Sequence, residues 1–168
     1  AEIAIQAALT GHLVLSTLHT NDAPAALTRM LDLGVPSYLL GATVLGVMAQ
    51  RLVRVLCPAC KRQAPATPED EALWDRLVAP WKANRPAQFY HPVGCLDCRM
   101  TGYRGRVGIY EILLLSPDMK QAISDSADVA KLRDLAYREG MKPLRISGAM
   151  KVAAGITTLA EVIGRATL

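Results

Sequence analysis

"GHLVLSTLHTNDAPAALTRMLDLG", residues 11–34, sets two patterns end to end. The run HLVLSTLH (12–19) is continuously apolar and rich in branched side chains. That composition predicts a buried strand of a parallel sheet covered on both faces. The residues after it predict a helix. Asn21 or Asp22 caps its start, Pro24 suits its first turn, and Gly34 ends it. Ala23, Leu27, Met30 and Leu31 would form its buried stripe, with Asp22, Ala25, Arg29 and Asp32 on the opposite face. Ligands of open α/β sheets collect at the carboxyl ends of strands, beside helix N-termini whose free N–H groups suit anions. His19, with Thr20 next to it, stands at such an end and is the first candidate for ligand contact. His12 opens the same strand. Seven residues away, it would face opposite to His19 in a regular strand, so the two would not grip one small atom without a bulge.

The flanks extend the pattern. EIAIQAAL (2–9) reads as the end of a helix closed by Gly11, and SYLLGATVLGVMAQ (37–50) as an apolar helix opened by Pro36. RLVRVL (51–56) reads as a strand, and GYRGRVGIYEILLL (102–115) as a glycine-punctuated strand or hairpin. Extended backbone would place Arg104 and Arg106 on one face, and Glu111 interrupts an apolar run, where an arginine partner is expected. The last third is helical. One helix starts at Ser116 and Pro117, and DVAKLRDLAYREG, PLRISGAMKVAAG and TLAEVIGRA supply three more. Thr158 and Glu161 are spaced as a capping box. A mixed α/β half followed by an all-helical tail predicts two subdomains with a cysteine site between them.

Bulk properties bound the rest. The 168 residues are 51% hydrophobic and 20% charged, enough for a packed core. The longest apolar stretch, YLLGATVLGVMA (38–49), is shorter than the roughly 20 residues of a membrane-spanning helix. No signal peptide and no initiator methionine are visible, so the chain reads as soluble and as cut from something longer. A net charge of +4 makes no case for a nucleic-acid footprint. Its arginines cluster, at Arg51, Arg54 and Arg62 and at Arg99, Arg104 and Arg106, which would serve a phosphate ligand equally well.

All four cysteines lie in LCPAC (56–60) and GCLDC (94–98). Two thiolates separated by two residues reach one tetrahedral metal, and two such knuckles close a four-sulfur structural zinc site with Cys57, Cys60, Cys95 and Cys98 as ligands. No coordination position stays open for catalysis. Two disulfides, four unrelated thiols, or iron in place of zinc are the alternatives; a redox C-x-x-C would open a helix beside a βαβ pattern, which two matched pairs fit poorly. The segment between the pairs reads as a poorly specified insert of proline-rich turns around a short helix, with Trp74 and Trp81 as packing residues.

Read in order, AEIAIQAALTGHLVLSTLHTNDA, GVMAQRLVRVLCPAC, GCLDCRMTGYRGRVGIYEILLL and GITTLAEV resemble the secretion ATPases of type II secretion and type IV pilus assembly, with LGVMAQRLVR leaning to the secretion branch. The resemblance covers nearly the whole chain except about 61–88. It implies an α/β fold: the C-terminal part of a RecA-like P-loop domain over 1–56, a tetracysteine zinc region over 57–101, and a strand or hairpin with an all-α C-terminal subdomain over 102–168. It implies a homohexameric ring, cytoplasmic and peripheral to the bacterial inner membrane, which acts with an inner-membrane platform and cytoplasmic-domain secretion proteins and uses ATP and Mg²⁺. No nucleic-acid partner is expected. His12 to Asn21 match the family's histidine box near the nucleotide phosphates, which makes His12, His19, Thr20 and, farther on, Arg104 candidate nucleotide contacts. Arg29 and Arg106 match family arginines at the nucleotide pocket or subunit boundary and join His19 as candidate catalytic residues. For Arg29, a solvated pairing with Asp32 is the plainer expectation from spacing. No G-x-x-x-x-G-K-[ST] occurs, so the phosphate-cradling loop is absent and the chain is expected to be inactive alone. Two other classes compete: a zinc-ribbon adaptor, which leaves GHLVLSTLHTND without a purpose, and a thiol oxidoreductase.

Overall fold

The computed structural model describes residues 2–125 and 128–166. In chain order these form α1 (Glu2–Leu9), α2 (Ala23–Asp32), α3 (Ser37–Thr43), β1 (Gly46–Leu56), β2 (Arg62–Pro65), α4 (Pro68–Val78) and β3 (Gln88–His91). A 3₁₀ turn (Leu96–Cys98), β4 (Tyr103–Leu114), α5 (Pro117–Asp125), α6 (Val129–Arg138), α7 (Leu144–Ala153) and α8 (Leu159–Ile163) follow. The chain divides into two compact units. One takes Ala1–Ala49 with Glu111–Lys142, the other Gln50–Tyr110 with Pro143–Leu168.

In the first unit α2 packs on α6, and α3 on α5. Asp22 caps α2 and Pro24 sits in its first turn; of the expected stripe Ala23 and Leu27 are buried and Met30 and Leu31 half-buried, while Ala26 joins the buried face. Gly11, at φ 91°, closes α1, where the His12 N–H returns to the Ala7 carbonyl at 3.1 Å. Residues 12–19 depart from expectation. They join no sheet among the described residues, and Leu13 and Leu15 are 77% and 89% exposed. A buried strand needs hydrogen-bonding neighbours and a layer over each face, and the described residues supply neither. The helix opened by Pro36 stops at Thr43. Its apolar continuation becomes the first half of β1, because periodicity cannot separate a buried helix from a strand and a partner strand is at hand. The Leu115 N–H donates to the Leu45 carbonyl at 3.1 Å, and a Cβ added to Gly46 would lie 2.9 Å from the Leu113 carbonyl oxygen.

β1 pairs with β4. The Leu45–Leu115 bond joins the start of β1 to the end of β4, and the Cys57 N–H donates to the Gly102 carbonyl at the other end, so the ladder is antiparallel. β4 is a single strand, not a hairpin.

In the second unit the segment between the cysteine pairs is a folded element, contrary to expectation. β2 and β3 form an antiparallel pair on either side of α4 in sequence, with Arg62 opposite His91 and Pro65 opposite Gln88. Thr67 and Asp70 make a reciprocal capping box at the head of α4. Trp74 is 2% exposed and meets Phe89 at 5.9 Å between ring centroids, while α4 packs on α7 and α8. Burial of Trp74, Leu77 and Phe89 thus gives the insert an apolar core. α7 crosses α8 so closely that a Cβ on Gly148 would meet the Val162 side chain at 2.3 Å. The capping box expected at Thr158 is only half made: its hydroxyl accepts the Glu161 N–H at 3.3 Å, but the Glu161 carboxylate turns to Arg54. The four C-terminal helices do not form one body; α5 and α6 belong to the first unit, α7 and α8 to the second.

Candidate metal centre and the histidine segment

The four cysteine sulfurs lie within 4.8 Å of one another. Cys57 and Cys95 are 3.9 Å apart, Cys60 and Cys98 also 3.9 Å, and Cys95 and Cys98 3.7 Å. These are far beyond a disulfide bond, and all four cysteines are free. Four ligands at a Zn–S distance of about 2.3 Å around a tetrahedron sit about 3.8 Å apart, close to the spacing of these three pairs. Backbone N–H groups are aimed at the sulfurs: Gly94 at Cys60 (3.3 Å), Cys95 at Cys98 (3.2 Å) and Gly102 at Cys98 (3.2 Å). Such donors favour thiolate over thiol. Burial opposes a Cys98 thiolate, but the Cys95 and Gly102 N–H groups, with the Cys95 and Cys60 thiols, bring it down to about 6. For Cys95 a backbone hydrogen bond from Cys98 favours the anion, yet burial and the neighbouring thiols push it up to about 11. Cys98 therefore ionises before Cys95, and a bound dication would favour the thiolate form at the site. The donor set fits a four-coordinate soft metal.

The knuckles are held from several sides within their unit. Glycine is required at 94 and 102, both at positive φ, where a Cβ would meet the Met100 carbonyl oxygen at 2.8 Å and Pro92 at 2.4 Å. The Lys61 ammonium caps the Gly155 carbonyl at 2.8 Å and lies 4.7 Å from the centre of the Tyr90 ring. Arg54 stacks over Tyr103 at 4.1 Å and binds Glu161, which also accepts the Arg54 N–H at 3.0 Å. That arginine–glutamate link joins residues 107 apart and had no local signal, because Glu161 reads as a cap.

The residues proposed for nucleotide contact come from separate segments of the chain. His12 Nδ1 lies 3.1 Å from the Thr10 hydroxyl and 3.3 Å from the Ala7 carbonyl, so its ring closes the end of α1. His19 is exposed in the irregular segment, and the Thr20 hydroxyl donates to the Asp22 carbonyl at 3.0 Å. The α2 N-terminus is already supplied with carboxylates: Asp22 accepts the Ala25 N–H at 2.8 Å and Glu111 accepts the Ala23 N–H at 2.9 Å. Arg29 is exposed on the last turn of α2, and no ion pair joins it to Asp32 among the described residues. Arg104 and Arg106 are both exposed, but Gly105 between them has φ 79°, so the strict alternation of an extended strand does not carry across it.

Residues 1–164 match the family described as type II/IV secretion system protein. The chain belongs to that family. Type IV pilus assembly ATPase TfpB of Acinetobacter baylyi is 53% identical over 97% of this chain and 27% of its own length. Type IV pilus assembly ATPase PilB of Myxococcus xanthus is 49% identical, and the match covers 98% of this chain and 29% of that protein. Type II secretion system protein E of Pseudomonas aeruginosa is 46% identical, with 97% and 31% covered. This type II/IV secretion family member thus spans less than a third of the length of these relatives. The fold is α/β and similar to that in a crystal structure of the pilus retraction motor PilT with bound ADP, at TM-score 0.59 and 20% identity over 99% of this chain and 36% of that one.

Proposed function

We propose that this chain is the C-terminal part of a hexameric ATPase that drives type II protein secretion by powering assembly of a pilus-like fibre. The observation that carries the reading is identity of 43% to 46% to type II secretion proteins E across 97% of the chain. In this reading the first 56 residues complete a RecA-like nucleotide core whose phosphate-binding loop lies elsewhere in the parent. His12, His19 and Thr20 face the nucleotide side, and Arg29, Arg104 and Arg106 face the phosphates or a neighbouring subunit. The ring sits on the cytoplasmic face of the inner membrane and acts on a platform protein there; no helix among the described residues is long and apolar enough to cross a membrane. Cys57, Cys60, Cys95 and Cys98 would hold one structural zinc ion, which supplies cross-linking and no chemistry at the nucleotide. Assembly of type IV pili is the second reading, favoured by the 53% identity to the Acinetobacter baylyi relative.

The test is ATP hydrolysis by the full-length parent against this chain alone. The parent is expected to turn over ATP with Mg²⁺ and the isolated chain to be inactive; steady turnover by the pure chain would refute the division of labour. Replacing Arg106 by a neutral residue in the parent should cut hydrolysis sharply, and unchanged turnover removes that arginine from the site. Deleting the gene separates the branches: loss of secreted proteins with pili intact supports the first, the reverse supports the second.

A further inference from the structure

Three charged side chains from three elements converge on the first turn of α2, directly after the histidine segment. Asp22 caps the helix through Oδ1, while its Oδ2 receives Arg133 Nη2 at 2.6 Å. Arg133 comes from α6 and Glu111 from β4, and Glu111 Oε1 takes the Ala23 N–H at 2.9 Å. These partners lie 111 and 88 residues from the turn in sequence. Glu111 is 3% exposed, a costly place for a carboxylate unless hydrogen bonds and charge partners offset the burial, as the Ala23 N–H does here. Burial works against the charge on Arg133, but the Asp22 carboxylate, with Tyr137 and Glu111 beyond it, more than offsets this and raises its pKa.

Asp22 meets one free N–H of the helix start, at Ala25, and Glu111 meets another, at the buried Ala23. The two long-range partners add orientation: they fix the turn against β4 and α6 at two separate atoms. The Thr20 hydroxyl bonds the Asp22 carbonyl at 3.0 Å, so the hold reaches back to the residue next to His19. We infer that Glu111 and Arg133 are positioning residues, which clamp the Thr20–Ala23 turn and through it set where His19 is presented to the nucleotide. This rests on the ATPase reading above. It also accounts for the charges at the α2 N-terminus: carboxylates of the chain itself occupy its N–H groups at Ala23 and Ala25, so the turn is a fixed mount and not an anion cradle.

The test measures ATP hydrolysis by the full-length protein in Arg133→Ala, Arg133→Lys, Glu111→Gln, Asp22→Asn and the Asp22→Asn/Arg133→Ala pair, with amide exchange over residues 19–25 and melting followed in each. Misplacing a contact residue costs on the order of tenfold to a hundredfold, so Arg133→Ala should lower kcat by that amount with KM little changed. Arg133→Lys should restore part of the loss, because the ammonium keeps the charge but not the planar donor pair. The double variant should be no worse than Arg133→Ala. Glu111→Gln keeps a carbonyl acceptor and should be milder. A kcat per folded molecule unchanged in Arg133→Ala, or additive losses in the double variant, overturns the inference. Should the wild-type protein hydrolyse no ATP, the motor reading fails and the exchange data decide the clamp alone. Faster exchange at Ala23 and Ala25 in Arg133→Ala at unchanged melting temperature supports it; unchanged exchange overturns it.

Discussion

The cysteine region and the histidine segment are opposite cases of how a chain holds a candidate site. In the first, the sulfurs, the glycines that pass them and the neighbouring β2–β3 pair are tied by bonds that begin and end in one unit. In the second, an apolar run lies irregular with Leu13 and Leu15 exposed; His12 ties its start to α1, and Asp22, Glu111 and Arg133 hold the turn that follows it. A metal knuckle needs four side chains and a few N–H groups, all encoded within short spacings. A strand needs a neighbour along its whole length. The contrast is between an element that closes on itself and a segment without a strand partner among the described residues.

The largest effect that can break this contrast is metal loss. One zinc per chain is expected by elemental analysis. Chelation should unfold the second unit while the first keeps its amide protection, since structural zinc contributes on the order of 10 kcal/mol at neutral pH. A second unit that stays protected without metal would mean that its core, and not the clamp, holds it. Next in size is Trp74→Ala, which empties a site 2% exposed and should cost about 3–5 kcal/mol in denaturant unfolding of that unit. A loss below about 1 kcal/mol would return the insert to a loose loop.

The Arg54–Glu161 link gives a pH-dependent effect. The hydrogen bond from the Arg54 side chain, against some burial, lowers the Glu161 pKa. Its contribution is therefore present above the ordinary glutamate value and is lost as pH falls through the lower folded value. Arg54 is half exposed, so the contribution is about 1 kcal/mol. Acid also strips zinc from thiolates, so the measurement is the difference between wild type and Glu161→Gln: the gap at neutral pH should close in acid, and a constant gap would remove the ion pair as its cause. The smallest effect sharpens the other side. Leu15→Ser should change the stability of this chain by less than about 0.5 kcal/mol while reducing binding of an apolar dye. A loss above about 1 kcal/mol would show that residues 12–19 are packed after all.

Local signals carried well where the physics is local. Asp22, Pro24 and Gly34 bound α2, Gly11 closes α1, and the paired C-x-x-C spacing foretells a four-sulfur cluster. They failed where a neighbour arbitrates. The stretch after Thr43 has helical and strand readings of similar merit, and β4 selects the strand. Glu161 has the spacing of a cap residue, but a guanidinium 107 positions away outbids the local N–H. The insert looked weak because its turns are proline-rich; Trp74 against Phe89 gives it a core that no short window displays.

By itself the sequence determined the start and end of α2, the close of α1, the four-cysteine cluster and the family, because capping, turn geometry and motif order depend on residue types at short, fixed spacings. Only the tertiary structure decided that β1 begins at Gly46, that Glu111 and Arg133 meet at the start of α2, and that the last four helices divide between two units. Those outcomes depend on which distant backbone or charge arrives as partner, and the free energy of an apolar face or a buried carboxylate is undefined until that partner is in place.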